Sequence, residues 1–215
     1  PDRFNQAQAP ELARARALIL HMAALAGAGI DATRVRLARA EHEVAGALLV
    51  SLGASATPRA RQLMRRALVL CADHELNASA FAVRVAASAG ADLYACVSAG
   101  LATLSGPRHG GVVDRVEALL SEVARPEHAR AVVHERSRRG EEIPGFGHPL
   151  YPAGDPRGAL LLAAAGEHAA RSPRLRLLQA VVAAMREAGR EPPTLDIGLA
   201  ATGVALGLPP RSAVA

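Results

Sequence analysis

The chain has 215 residues; half are hydrophobic, but only 2% are aromatic and none is tryptophan. Its 25 basic residues are all arginine and are scattered among 20 acids, giving a net charge of +5. So few aromatic rings argue against nucleic acid as a partner, because single strands need aromatic surfaces for stacking. An anionic small ligand fits this charge equally well.

Two further classes are disfavoured by the composition. No apolar run approaches the roughly 18 residues that a membrane span needs, and no signal-peptide pattern opens the chain. Cys71 and Cys96 have neither the spacing of a zinc site nor the number that a disulfide framework requires. We therefore expect a cytoplasmic protein without a membrane partner.

Helical periodicity dominates the chain, because apolar residues recur at spacings of three and four and no period-two runs alternate with them. Pro58 fits a first helical turn, Asn77 an N-cap and Gly90 a helix stop. The predicted fold is therefore all-α. In chain order, the helices are predicted over residues 11–26, 33–53, 58–72, 77–90, 91–106, 111–124, 126–139, 157–171, 173–189 and 195–206.

Two histidines lie beside predicted helix ends, where loop-borne chemistry is expected. His74, in CADHELNAS, lies between two helices, and an ordinary polar helix boundary explains it equally well. His109, in SGPRHGG, lies at a tight corner before the next helix. A helix N-terminus disfavours a protonated imidazole. A neutral His109 can donate a hydrogen bond to a developing oxyanion; a solvated turn histidine is the simpler alternative.

The segment IPGFGHPLYPAGDPR (143–157) concentrates glycine and proline around His148. Glycines before the histidine allow a ligand to approach the backbone, and prolines after it stiffen the chain. The segment ends at Asp155-Pro156-Arg157, with Arg157 in the first turn of a helix. Its guanidinium can bind a carboxylate there through two parallel hydrogen bonds. The alternative is a simple connector with Asp155 as an N-cap.

Four motifs, taken in order, resemble the citrate synthase family: DHELNAS, SGPRHGG, PGFGHPLYPAGDPR and TLDIGLAATGVALGLP. The third resembles the family signature, a Gly-aromatic-Gly-His loop followed by Asp-Pro-Arg. The resemblance extends from about residue 58 to the end, and we expect the chain to be a fragment. It implies a homodimer of subunits with a large and a small helical domain. Residues 1–110 would belong to the large domain, 111–207 to the small one, and 208–215 would return to the large domain.

The resemblance also implies a reaction. Family members condense a coenzyme A thioester, usually acetyl-CoA, with a 2-oxo acid, usually oxaloacetate, and release free coenzyme A. Asp196 would take a proton from the thioester methyl group, His109 would donate a hydrogen bond to the enolate oxygen, and His148 would polarise the ketone. His74 and Arg157 would bind the oxo acid. No permanently bound cofactor or metal is implied.

Coenzyme A would contact the signature loop at Pro144, Gly145, Phe146 and Gly147.

The chain departs from the family pattern at three places. Val112 and Val113 replace the usual Ala-Asn, Pro152 stands where a basic residue is common, and the residues around Asp196 differ from the usual Asn-Val-Asp setting.

Several functions fit these motifs. Within the same chemistry, a 2-methylcitrate synthase using propionyl-CoA or a citryl-CoA lyase is an alternative, since the lining of the pocket separates them. The altered neighbours of His109 and Asp196 motivate a second class, a catalytically idle paralogue that binds coenzyme A or a 2-oxo acid. A third hypothesis is a metal site formed by His74, His109 and His148.

Overall fold

The computed structural model describes the backbone over residues 2–72, 76–107, 109–210 and 212. Within these ranges the chain forms eleven α-helices, one short 3-10 helix and no β-strand, which confirms the all-α prediction. The 3-10 helix, Pro126–His128, leads directly into α8. The α-helices are α1 (Asp2–Leu25), α2 (Ala32–Arg39), α3 (Val44–Ser51), α4 (Pro58–Cys71), α5 (Ala78–Ser88), α6 (Leu93–Leu104), α7 (Val112–Val123), α8 (Ala129–Arg138), α9 (Pro156–His168), α10 (Pro173–Glu187) and α11 (Leu195–Leu206).

The first helix is longer than the periodicity predicts. It begins at Asp2 instead of residue 11, and Pro10 lies inside it. Proline is disfavoured within a helix because it lacks an N–H and its ring crowds the preceding turn. The predicted helix begins just after this proline, whereas α1 includes it.

The single helix predicted over 33–53 is wrong, because the chain forms α2 and α3 with a break between them. Arg61 of α4 pairs with Glu41 at 2.8 Å and with Glu43 at 3.6 Å, and both acids lie in the break. Glu43 has extended backbone angles, φ −130° and ψ 134°, immediately before α3. His42 thus lies in the break and not within a helix. Ion pairs to a distant helix accompany this break, and they leave no periodic signal.

Several predicted helix ends are confirmed. Pro58 is the first residue of α4, and the Asn77 side chain caps α5 by accepting a hydrogen bond from the Ala80 N–H at 2.8 Å. Gly90 follows α5 with φ +83°, a backbone conformation that glycine adopts at little cost.

The largest buried cluster joins α7, α8, α9, α10 and α11. A smaller cluster connects α4 to the start of α11 through Leu161 and Leu195, and Leu161 is fully buried. Burial of such a side chain contributes about 1.5–3 kcal/mol. A Cβ on Gly158 would lie 2.2 Å from the Thr194 carbonyl oxygen, so α9 can approach the start of α11 this closely only with glycine there. This packing fixes the turn that carries Asp196.

In the described part of the chain, no helix is both long and apolar enough to cross a membrane. The domain boundaries at residues 110 and 207 stay predictions.

Candidate active site

The signature loop is joined to the segment before α11 by two backbone hydrogen bonds. The Gly147 N–H donates to the Pro192 carbonyl and the Thr194 N–H donates to the Gly145 carbonyl, both at 2.9 Å. These bonds form an isolated antiparallel bridge. The loop that carries His148 is therefore held beside the helix that carries Asp196.

Gly145 is required by both its conformation and its surroundings. Its φ is +84°, and a Cβ on it would lie 2.8 Å from the side chains of Ile197 and Val116. Pro144 is buried beside it, whereas Phe146 and Gly147 are partly exposed. Of the four residues predicted to contact coenzyme A, the last two are therefore the more accessible.

Thr194 connects the loop to the predicted base. It is the N-cap of α11, and its Oγ1 lies 3.1 Å from the Gly145 carbonyl oxygen and 2.9 Å from Asp196 Oδ2. A hydroxyl has one proton, so these two acceptors compete for it. The Asp196 N–H donates back to the same Oγ1 at 3.3 Å. Asp196 itself is partly exposed in the first turn of α11.

Asp155 holds Arg157 and the start of α11 together. Its carboxylate, which is 0% exposed, accepts from Arg157 Nε at 3.0 Å, Nη2 at 2.9 Å and the backbone N–H at 3.0 Å. It also accepts from the Leu195 N–H at 3.2 Å. Burial by itself would raise the pKa of Asp155, but the hydrogen bonds and charge of Arg157 outweigh it and lower that pKa. The same hydrogen bonds raise the pKa of Arg157.

Asp155 is the N-cap of α9, as the simpler interpretation held, but it also does more than cap the helix. Arg157 was predicted to bind a ligand carboxylate through two parallel hydrogen bonds. In this structure its Nε and Nη2 bind Asp155 instead, and binding of a ligand by Arg157 stays a prediction. Sequence reasoning missed the bond to Leu195, because nothing in the local pattern indicates that two helix starts share one carboxylate.

His148 has a defined ring orientation. Its Nδ1 accepts a hydrogen bond from the Leu150 N–H at 3.2 Å, so the proton of the neutral ring lies on Nε2. The Tyr151 ring centroid lies 5.1 Å from the His148 ring centroid. Arg157 Cζ lies 5.3 Å from the centroid of the same Tyr151 ring. Tyr151 was not among the predicted site residues.

His109 is positioned by a different helix. It lies in the turn before α7, where its N–H donates to the Gly106 carbonyl at 2.9 Å. Its Nε2 lies 2.9 Å from Ser79 Oγ on α5, and Ser79 Oγ is also 3.0 Å from Asn77 Oδ1. Ser79 has one proton, so a neutral His109 can donate from Nδ1 only if that proton points to Nε2 and the hydrogen bond from Ser79 to Asn77 Oδ1 is lost. Ser79 lies within DHELNAS, the first motif, but its role could not be inferred from spacing.

His74 lies outside the described residues, so its predicted role stays a prediction. Over the described ranges, no three His, Cys, Asp or Glu residues form a group that could hold a metal ion.

A cavity of about 160 Å³ is lined by Gly203 and Gly207, at the opposite end of α11 from Asp196. It contains none of the predicted site residues.

The His148 imidazole and the Arg157 guanidinium thus contact one tyrosine ring, and Asp155 links Arg157 to the start of the helix that carries Asp196. Residues 2–215 match the family model described as citrate synthase, C-terminal domain. The chain belongs to the citrate synthase family.

Individual relatives agree with this assignment. The chain is 39% identical over 157 residues to "Putative citrate synthase 2" of Mycobacterium bovis, covering 72% of this chain and 42% of that protein. It is also 39% identical over 100 residues to 2-methylcitrate synthase of Shewanella oneidensis, covering 46% of this chain and 27% of that one. The chain thus spans less than half the length of these relatives.

Solved structures share the fold. A ternary complex of citrate synthase from Thermoplasma acidophilum with carboxymethyl coenzyme A and oxaloacetate matches with a TM-score of 0.68 and 27% identity, covering 79% of this chain and 47% of that one. Citryl-CoA lyase from Hydrogenobacter thermophilus matches with a TM-score of 0.67 and 27% identity, covering 79% and 68%.

Proposed function

We propose that the protein is a citrate synthase-type acyltransferase that condenses acetyl-CoA with oxaloacetate to give citrate and free coenzyme A. The observation that carries this proposal is the hydrogen-bonded joint at Thr194, which holds the signature loop against Asp196. Family membership supplies the reaction class. The joint supports the proposal because Asp196, the predicted base, is hydrogen-bonded to Thr194, which is itself hydrogen-bonded to the loop that carries His148.

Each catalytic residue has a chemical task. Asp196 takes a proton from the thioester methyl group, while His109 donates a hydrogen bond to the oxygen that becomes the enolate. The enolate carbon then attacks the oxaloacetate ketone, which His148 polarises through its Nε2–H. Water finally hydrolyses the citryl thioester. A positioned base typically contributes about 10²–10⁴-fold to the rate, and one oxyanion donor about 10²–10³-fold.

The two substrates contact different residues in the proposed complex. Arg157 and His74 bind the carboxylates of the oxo acid, and Pro144, Gly145, Phe146 and Gly147 form the backbone that coenzyme A meets. The coenzyme A thioester is a co-substrate, so no permanently bound cofactor is needed. The Thermoplasma relative was solved with a coenzyme A analogue and oxaloacetate together, which supports this pair of substrates.

A propionyl-CoA substrate is the second candidate, because one relative is a 2-methylcitrate synthase. The two thioesters differ by one methylene, which a hydrophobic pocket discriminates by only about 1–3 kcal/mol. The likeness to a citryl-CoA lyase keeps the cleavage direction as a third candidate.

The α5–α6 hairpin supports a homodimer. α5 buries none of its residues, and large apolar side chains are exposed on both helices: Phe81 (56%), Val85 (50%), Tyr94 (60%) and Leu101 (48%). A second copy of the protein covers this face in the proposed dimer. We also propose that the protein is located in the cytoplasm. Sedimentation of the intact protein would give twice the subunit mass; a monomer would contradict the dimer.

The test of function is release of thiol by the intact protein, supplied with oxaloacetate and either acetyl-CoA or propionyl-CoA. Asp196→Asn removes the base while preserving shape, and Glu167→Gln is the matched control at an exposed acid. Thiol release that needs both substrates, is lost in Asp196→Asn and is kept in Glu167→Gln supports the proposal. The thioester that is used identifies the acyl group. Oxaloacetate binding without turnover would contradict the proposal and favour the idle paralogue. Cleavage of citryl-CoA without citrate formation would favour the lyase.

A further inference from the structure

Tyr151 contacts both side chains that polarise or bind the oxo acid in the proposed function. Its ring centroid lies 5.1 Å from the His148 ring centroid, and the two ring planes are tilted by 40°. It lies 5.3 Å from Arg157 Cζ. The Tyr151 N–H also donates to the His148 carbonyl at 3.0 Å, which closes the turn between them. One aromatic ring therefore touches an imidazole and a guanidinium.

The contact with Arg157 is attractive. A guanidinium within about 6 Å of a tyrosine ring centroid is stabilised by the negative face of the ring. Asp155 already holds Nε and Nη2 of the same guanidinium. With a carboxylate and an aromatic ring both in contact with it, the guanidinium has little freedom to turn.

His148 is restrained in a comparable way. The Leu150 N–H occupies its Nδ1, and the Tyr151 ring packs against the imidazole. Tyr151 is thus the element common to both restraints. Groups that are held in place before a ligand arrives lose less conformational entropy on binding it, which improves affinity.

We propose that Tyr151 is a positioning residue for the oxo acid: its ring sets the separation and orientation of His148 and Arg157, and thereby the affinity for a 2-oxo dicarboxylate. This inference rests on the proposed function. The ring itself matters, because both contacts involve the aromatic ring and neither involves the hydroxyl. Affinity for the coenzyme A thioester does not depend on it.

Calorimetric titration of the intact protein with oxaloacetate tests this, together with the KM for each substrate. Tyr151→Leu removes the ring and keeps an apolar side chain, and Tyr151→Phe keeps the ring. Leu37→Ala, which truncates an exposed leucine on α2 outside the signature loop, is the control. We expect Tyr151→Leu to weaken oxaloacetate binding about 3- to 30-fold, the range of a cation–π contact. Tyr151→Phe and Leu37→Ala should stay within about twofold, and the KM for acyl-CoA should not change in any variant.

Three results would overturn the inference while leaving the proposed function intact. These are unchanged oxaloacetate affinity in Tyr151→Leu, an equal loss in Tyr151→Phe, or an equal loss of affinity for both substrates together with a lowered melting temperature. The last result would mean that Tyr151 has only a structural role. Failure of the unsubstituted protein to bind oxaloacetate is a separate outcome, measured first, and it would overturn the proposed function and this inference together.

Discussion

Replacement of Asp155 by asparagine tests the proposed organisation of the site most directly. The carboxylate accepts four hydrogen bonds, two at each oxygen: Arg157 Nε and the Arg157 N–H at Oδ1, and Arg157 Nη2 and the Leu195 N–H at Oδ2. An amide offers only one oxygen. Whichever way it is oriented, its NH₂ group faces two N–H donors and the charge of the pair is lost.

The expected cost is large because the group is enclosed. The side chains of Asp155 and Arg157 are 0% and 17% exposed. Breaking a buried ion pair by removing one partner costs about 3–5 kcal/mol. Because Arg157 retains some contact with solvent, we expect the free energy of unfolding to fall by about 3 kcal/mol. We also expect Arg157 to lose its fixed orientation, so the affinity for oxaloacetate should fall as well.

Urea denaturation followed by circular dichroism, with Glu135→Gln as control, measures the effect. Glu135 also pairs with an arginine, Arg138, but both side chains are exposed, at 44% and 66%, so no measurable loss is expected there. A loss in Asp155→Asn no greater than in the control would refute the reasoning. It would mean that the carboxylate does not hold the two helix starts together.

The pH dependence gives the same prediction a second test. The pKa of Asp155 is lower in the folded protein than in the unfolded chain, so the unfolded chain takes up the proton first as the pH falls. The stabilisation is therefore complete above the ordinary aspartate pKa of about 3.9 and is lost below it. The difference in stability between Asp155→Asn and the unsubstituted protein should be constant near neutral pH and should narrow below about pH 4.

Three further predictions concern the surroundings of the site. Thr194→Val, which removes the hydroxyl at nearly constant volume, should lower kcat about fivefold with little change in KM, and Thr194→Ser should restore it; equal kcat in both variants would contradict a role in orienting Asp196. Ser79→Ala should lower kcat about fivefold without changing oxaloacetate affinity, since His109 loses the hydroxyl that lies 2.9 Å from its Nε2; unchanged steady-state kinetics would show that the contact is incidental. Burial raises the pKa of the Cys71 thiol to about 11, against the opposing charge of Arg157, so only about one thiol in a thousand is ionised at pH 8; alkylation of this residue, followed by mass spectrometry, should be far slower than that of a cysteine peptide.

Sequence reasoning succeeded where the signal is local. Apolar spacing predicted the helices, and cap preferences placed the start of α5 at Asn77, because both depend on neighbours within one turn. It failed at the break between α2 and α3, where Glu41 and Glu43 pair with an arginine from α4. The arginine partner lies on another helix, so the spacing of residues around Glu41 and Glu43 does not indicate the ion pairs.

The candidate site shows the same division. The motifs predict four candidate residues: His109, His148, Arg157 and Asp196. The residues that contact them, Ser79, Tyr151 and Thr194, are not predicted as site residues from the sequence. Their roles depend on which atoms face each other across separate segments, and residue type and spacing do not encode that information.

The residues that differ from the family pattern near His109 and Asp196 bear on the hypothesis of a catalytically idle paralogue. Thr194 stands where the family often has asparagine, yet it caps α11 and contacts Asp196 Oδ2. Val113, in place of another family asparagine, is 2% exposed within the largest core cluster, so its side chain is part of the core. Pro152 is exposed and has no charge to offer a coenzyme A phosphate. The departures therefore leave Asp196 with its Thr194 contact, and they put the uncharged Pro152 where the family often has a basic residue. This favours a change in the affinity for the acyl-CoA over the loss of catalysis, and the KM for acyl-CoA is the quantity that would reveal it.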